Sequence, residues 1–255
     1  MSFADLMRCS KTRVVLALDL KGPKLLERAL RILDEVHDQV AAVKVNRHLS
    51  IPLSLNDLAK LVERAHEHGL PAIMDYKVND IDSTNEVAAE LFFSAGFDAI
   101  TACPFTGWEG GLEPVFRLAR RMKKGVILLA YMSHAGASHW YGGLFVDPRT
   151  LSIVRPFEVF IRQAIAWGAD GVVVGATRPR IIEEAAKLLK GRALIFSPGV
   201  VTQGGVVEEA LRAGADYLIV GRAIVESPSP REAAASLNRA VEDAVARMHG
   251  RTPKG

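Results

Sequence analysis

Short apolar runs at regular spacing, each followed by an amphipathic segment, constrain this chain more than any single motif. Residues 13–19, 40–45, 72–75, 98–101, 126–130, 171–174, 193–196 and 217–220 read as strands. Helices are expected from Pro23, over 56–68, 83–95, 109–123, 156–167, 179–189 and 206–213, and over 230–249 at the end. Pro23 suits a first-turn position, Asn56 reads as an N-cap, and Gly69, Gly96 and Gly250 read as stops. Strands that are apolar almost throughout need cover on both faces, as in a parallel sheet wrapped by helices. Eight strand–helix repeats in 255 residues match an α/β closed barrel, the (β/α)8 or TIM barrel. An open doubly wound sheet is the alternative. It would carry a Gly-x-Gly-x-x-Gly turn after the first strand, where this chain has Asp19-Leu20-Lys21-Gly22-Pro23. No Pro/Gly/Ser-rich linker interrupts the repeats. One domain is therefore expected over 1–255, with residues 1–12 as an N-terminal extension and 250–255 as a C-terminal tail.

Composition narrows the function classes. With 49% hydrophobic and 24% charged residues, the chain reads as an ordinary globular protein. A net charge of +3 without a basic block argues against nucleic acid. Cys9 and Cys103 form no disulfide framework and no metal-binding spacing. The first residues carry Asp5, Arg8, Lys11 and Arg13 in place of an apolar signal core, and no apolar run reaches membrane length. A soluble, cytoplasmic protein with no membrane partner is expected.

The polar residues gather where barrel chemistry sits, at the carboxyl ends of the strands. Those ends carry Asp19, Lys44, Asp75 with Lys77 and Asp80, Thr101, Ser133, Ser197 and Arg222. In the stretch Asp75-Tyr76-Lys77-Val78-Asn79-Asp80-Ile81, strand alternation sends Asp75 and Lys77 to one side. Buried charges are expensive unless paired. A charge-rich surface loop would explain one such stretch, but several charges on successive strand ends point to a polar ligand. Residues 197–205, Ser-Pro-Gly-Val-Val-Thr-Gln-Gly-Gly, and Gly221-Arg222 offer backbone N–H groups and a guanidinium, which suits a phosphate. Those glycines could also serve as plain turns. The loops at 133–148 and 197–205 read as mobile covers. His66, His68, His134 and His139 show no metal-ligand spacing, and Trp108, Trp140 and Trp167 read as packing residues.

Together these motifs resemble the orotidine 5′-phosphate decarboxylase family. Its Asp-x-Lys-x-x-Asp-Ile pattern is matched by Asp75, Lys77, Asp80 and Ile81. Leu18-Asp19, Val43-Lys44, Met132-Ser133-His134-Ala135-Gly136, Ser197-Pro198-Gly199, Gln203-Gly204-Gly205 and Val220-Gly221-Arg222 also fit. Related magnesium-dependent enzymes acting on keto-sugar phosphates share the central pattern. They resemble this chain less at the second strand end, where a glutamate would help hold the metal and Lys44 stands here. Thr202 and Val206 depart from the common family pattern around the second cover loop.

The resemblance implies a cofactor-independent carboxy-lyase, with no metal, that converts orotidine 5′-phosphate to UMP and CO2 in pyrimidine biosynthesis. Lys77 would protonate C6 of the pyrimidine, and Asp75 would lie against the substrate carboxylate. Asp80 would arrive from the partner subunit of a homodimer with shared active sites, completing an alternating network with Lys44, Asp75 and Lys77. Thr84 would join Asp80, and Ile81 and Pro198 would belong to the substrate-binding set. Asp19 and Lys44 would hold ribose hydroxyls, Ser133 the base, and Gln203, Gly221 and Arg222 the phosphate. A keto-sugar-phosphate enzyme and a non-catalytic phosphate-ligand binder are the alternatives.

Overall fold

The computed structural model describes residues 2–147, 150–199 and 204–248. All eight expected strands form, and they close into one barrel. In chain order the strands are β1 (Val14–Ala17), β2 (Ala42–Asn46), β3 (Ala72–Val78), β4 (Ala99–Ala102), β5 (Gly125–Tyr131), β6 (Phe145–Val146), β7 (Ile153–Val154), β8 (Gly171–Val174), β9 (Leu194–Pro198) and β10 (Tyr217–Val220). The barrel runs β1-β2-β3-β4-β5-β8-β9-β10 and back to β1, every pairing parallel. The antiparallel pair β6–β7 stands apart, inside the long connection after β5, where the sequence predicts a loop.

Several helix starts differ from expectation. The helix expected from Glu109 begins at Glu113, because Glu109 and Gly110 take non-helical φ/ψ, and the one expected from Val206 begins at Gly204. The helix expected from Pro23 begins at Leu25, because Lys24 takes a left-handed conformation and leaves Pro23 outside. The helix over Leu55–Glu67 is capped by Ser54, whose hydroxyl accepts the Asp57 N–H, so Asn56 lies within its first turn. His249, Gly250 and the tail after them lie outside the described residues.

A repeated tripeptide sets the strand register at the barrel floor. Gly96-Phe97-Asp98, Gly168-Ala169-Asp170 and Gly214-Ala215-Asp216 each join a helix to the next strand. The glycine takes positive φ (103°, 74° and 111°), which frees the chain to turn. The aspartate then grips the preceding barrel strand twice. Its N–H donates to the carbonyl of Ala72, Val126 or Ile195, and its carboxylate accepts the N–H of that same residue. Burial pushes the carboxyls of Asp170 and Asp216 up. It works the same way on Asp98, but His66, the Ala72 N–H and Lys124 together hold that carboxyl below its ordinary range.

The amino-terminal segment closes the floor. Ser2 and Asp5 form a reciprocal capping box on the helix Phe3–Arg8. Phe3 and Met7 are buried against the barrel interior, beside Phe196 and Tyr217. Gly125 makes room for Phe3, whose ring atoms lie 2.8 Å from where a Cβ would stand. Asp170 accepts the Ala4 N–H as well, so one carboxylate ties the plug to β5. Inward-facing Val15, Ile73, Ile127, Phe196 and Ile219 fill the barrel above it, one from each of five strands. Among the described residues this packed column fills the amino-terminal end of the barrel.

Candidate active site

A cavity of about 620 Å³ opens at the carboxyl ends of the barrel strands, within the range of small-molecule sites. Asp19, Lys44, Asp75, Lys77, Ser133, Pro198, Gly221 and Arg222 all line it, as expected from sequence. Gln203 lies outside the described residues. Asp80, Ile81 and Thr84 are exposed and lie outside the cavity of their own chain.

Inside the mouth, charge is paired closely. Lys44 Nζ stands 2.6 Å from Asp75 Oδ2 and 4.0 Å from Asp19 Oδ1, with its side chain only 7% exposed. Thr101 Oγ1 donates to the other oxygen, Asp75 Oδ1, at 2.9 Å. Burial opposes the charged form of Asp75, but Lys44, Lys77 and the Thr101 hydroxyl outweigh it and hold the carboxyl below its ordinary range. Asp75 is therefore ionised at neutral pH. No carboxylate of the described residues lies within ion-pair distance of the Lys77 ammonium.

Lys77 reaches the cavity by a different route from simple strand alternation. The pairing of β3 with β4 shifts register between Met74 and Val78. Lys77 sits in that irregularity with φ of 56°, a left-handed conformation that costs a side-chain-bearing residue free energy. The sequence places two charges two residues apart. The bulge decides where the second one points.

Three features of the mouth were not anticipated. Asn46, at the end of β2, donates from Nδ2 to Asp19 Oδ1 at 2.5 Å, while its Oδ1 accepts the His48 N–H and caps the helix Arg47–Ser50. That second bond fixes which way the amide faces. Asn46 stands two residues after Lys44, so period-two alternation was the available signal. Leu129, Val173 and Ile219 form an apolar wall of the cavity, and their inward positions follow the same period. Glu226 joins Arg222 at the rim.

Glycines let these parts approach. A Cβ on Gly221 would lie 2.9 Å from Asp19 Oδ2, and one on Gly175 would lie 2.7 Å from Ser133 Cα. Beyond the mouth, buried Asn85 holds the Asp80 backbone from both sides. Its Oδ1 accepts the Asp80 N–H at 3.0 Å, and its Nδ2 donates to the Asp80 carbonyl at 2.6 Å. Asp80 is thus presented outward on a braced turn.

The family profile of "Orotidine 5′-phosphate decarboxylase / HUMPS family" matches residues 12–237. The chain belongs to this family. A relative from Methanosarcina barkeri named orotidine 5′-phosphate decarboxylase is 37% identical, over 91% of this chain and 96% of its own. One of the same name from Pyrococcus abyssi is 39% identical, over 87% and 95%. Among solved structures, orotidine 5′-phosphate decarboxylase from Pyrococcus horikoshii superposes with a TM-score of 0.73 at 33% identity, over 89% of this chain and 98% of that one. The Methanocaldococcus jannaschii enzyme complexed with the inhibitor BMP gives a TM-score of 0.75 at 29% identity, over 90% and 98%. Lys44 holds the second strand end, and among the described residues no group of three or more His, Cys, Asp or Glu could hold a metal ion.

Proposed function

We propose that this chain is a carboxy-lyase converting orotidine 5′-phosphate to UMP and CO2, the cytoplasmic step that completes UMP in pyrimidine biosynthesis. The observation that carries the reading is the Lys44–Asp75 pair beside Lys77 at a mouth whose other side holds Gly221 and Arg222. Loss of CO2 leaves a carbanion at C6. The Lys77 ammonium stabilises that charge as it develops and then delivers the proton. Asp75, ionised and aimed into the cavity, faces the substrate carboxylate. Two carboxylates at about 4 Å repel by about 4 kcal/mol at an effective dielectric near 20. Fully relieved at the transition state, that equals about three powers of ten in rate. Asp19 and Lys44 take ribose hydroxyls, Ser133 takes the base, Gln203, Gly221 and Arg222 take the phosphate end, and Pro198 belongs to the substrate-binding wall. Phosphate binding supplies energy for ordering the site around the reacting carbon. No cofactor enters the scheme.

The assembly follows from what one chain lacks. No carboxylate among the described residues of its own chain comes within 4.0 Å of the Lys77 ammonium, whereas Asp80 is exposed on a braced turn outside the cavity of its own chain. Beside Asp80, Ile81 is 61% exposed, and Val87 (57%) and Leu91 (45%) continue an apolar stripe at helical spacing with Thr84. A homodimer covers this stripe and brings Asp80, Ile81 and Thr84 to the partner's cavity. Mixing Lys77→Ala with Asp80→Asn chains tests this. Each variant alone is expected to be nearly inactive, and the mixture to regain about a quarter of wild-type activity through sites built from two intact halves. A mixture as inactive as its parents overturns the shared site.

A further inference from the structure

The backbone of Lys77 is strained, and two side chains from other elements hold the peptide before it. The Lys77 N–H donates to Thr101 Oγ1 at 2.9 Å, and the Tyr76 carbonyl on the other side of that peptide accepts from Arg47 Nη2 at 2.8 Å. Thr101 is 2% exposed, so its hydroxyl has no water to fall back on. A hydroxyl carries one proton. Here it goes to Asp75 Oδ1 at 2.9 Å, which leaves the oxygen lone pairs to the Lys77 N–H. One buried oxygen therefore fixes both the carboxylate of Asp75 and the start of the left-handed turn at Lys77. A left-handed residue with a side chain persists only where its surroundings over-determine it.

We propose that Thr101 is a positioning residue for the reaction, setting the Lys77 ammonium and the Asp75 carboxylate against each other through a single hydroxyl. The proposal rests on the reading of Lys77 as proton donor and Asp75 as the group facing the substrate carboxylate. Thr101 touches neither reacting atom. Its effect on rate comes through the placement of those two, for which a shift of about 1 Å is worth about 100-fold.

The test compares wild type with Thr101→Val, which keeps the shape and removes the hydroxyl, and Thr101→Ser, which keeps the hydroxyl. For each, kcat and KM on orotidine 5′-phosphate, the dissociation constant of UMP and the pH–rate profile are measured. Thr101→Val is expected to lose about 10- to 100-fold in kcat with UMP affinity nearly unchanged, and its acid limb to move to higher pH. Thr101→Ser is expected to recover most of that loss. Wild-type kcat in Thr101→Val overturns the proposal, as does a loss of UMP affinity as large as the loss of kcat. Wild-type protein that does not turn over orotidine 5′-phosphate overturns the functional reading instead. In that case a crystal structure of Thr101→Val decides the positioning role: departure of Lys77 from φ near 56° supports it, and an unmoved Lys77 overturns it.

Discussion

Asp75→Asn is the perturbation that separates the stability of this site from its chemistry. Asp75 Oδ2 and Lys44 Nζ are 2.6 Å apart, and the two side chains are 13% and 7% exposed. At that separation and an effective dielectric near 20, the gross attraction is about 6 kcal/mol. Desolvation of both ions removes most of it, so the pair itself adds little net stability. Removing one partner is a different matter, because Lys44 is then buried as an unpaired charge, at a cost of about 3–5 kcal/mol. Asp19, 4.0 Å from Lys44, compensates in part and places the expected loss near the lower bound. A loss of about 3 kcal/mol lowers the melting midpoint by about 6–10 °C in a chain of this size. Replacing both residues, as in Lys44→Met with Asp75→Leu, is expected to restore wild-type stability or exceed it while activity stays absent.

The pH dependence of the same variant has a defined sign. The Asp75 carboxyl is held below its ordinary value in the folded protein. Its contribution is therefore complete above the unfolded value of about 3.9 and disappears as pH falls through the folded value. Urea titrations of wild type and Asp75→Asn from pH 7 to pH 3 are expected to converge only at the acid end. Equal stability at pH 7, or a gap that widens toward low pH, would refute the reasoning.

Two further outcomes follow from packing. Phe3→Ala empties the barrel floor, where the ring is 1% exposed, and is expected to cost about 3–5 kcal/mol, read as a lower urea midpoint with kcat retained. Gly175→Ala sets a Cβ 2.7 Å from the backbone of Ser133; a backbone atom cannot rotate aside, so a loss of about 1–3 kcal/mol and a raised KM are expected.

Strand positions such as Val14–Ala17 and Tyr217–Val220 were legible because strands buried on both faces need apolar residues throughout. Lys44 and Asp75 were legible because charge at the end of an apolar run is costly without a purpose. The bulge at Lys77 was not, since it arises from the pairing with β4 and no residue in the stretch is a glycine. Asn46 escaped notice because its role depends on Asp19, 27 residues away. The plug of residues Phe3–Arg8 looked like an extension: its apolar residues find their partners only when the floor of the barrel exists. The hairpin β6–β7 carries exposed Val146 and Ile153, so burial patterning gave no sign of it.

The proposed metal-free decarboxylation driven by Lys77 and Asp75 is checked most directly by treating purified protein with a chelator and following the conversion of orotidine 5′-phosphate to UMP and CO2. Full turnover in the chelated protein, with at least about 10⁴-fold loss of kcat in Lys77→Ala and little change in UMP affinity, is the predicted result. Chelated protein that is inactive until Mg²⁺ restores turnover of a keto-sugar phosphate would contradict it, as would tight UMP binding with no turnover at any pH.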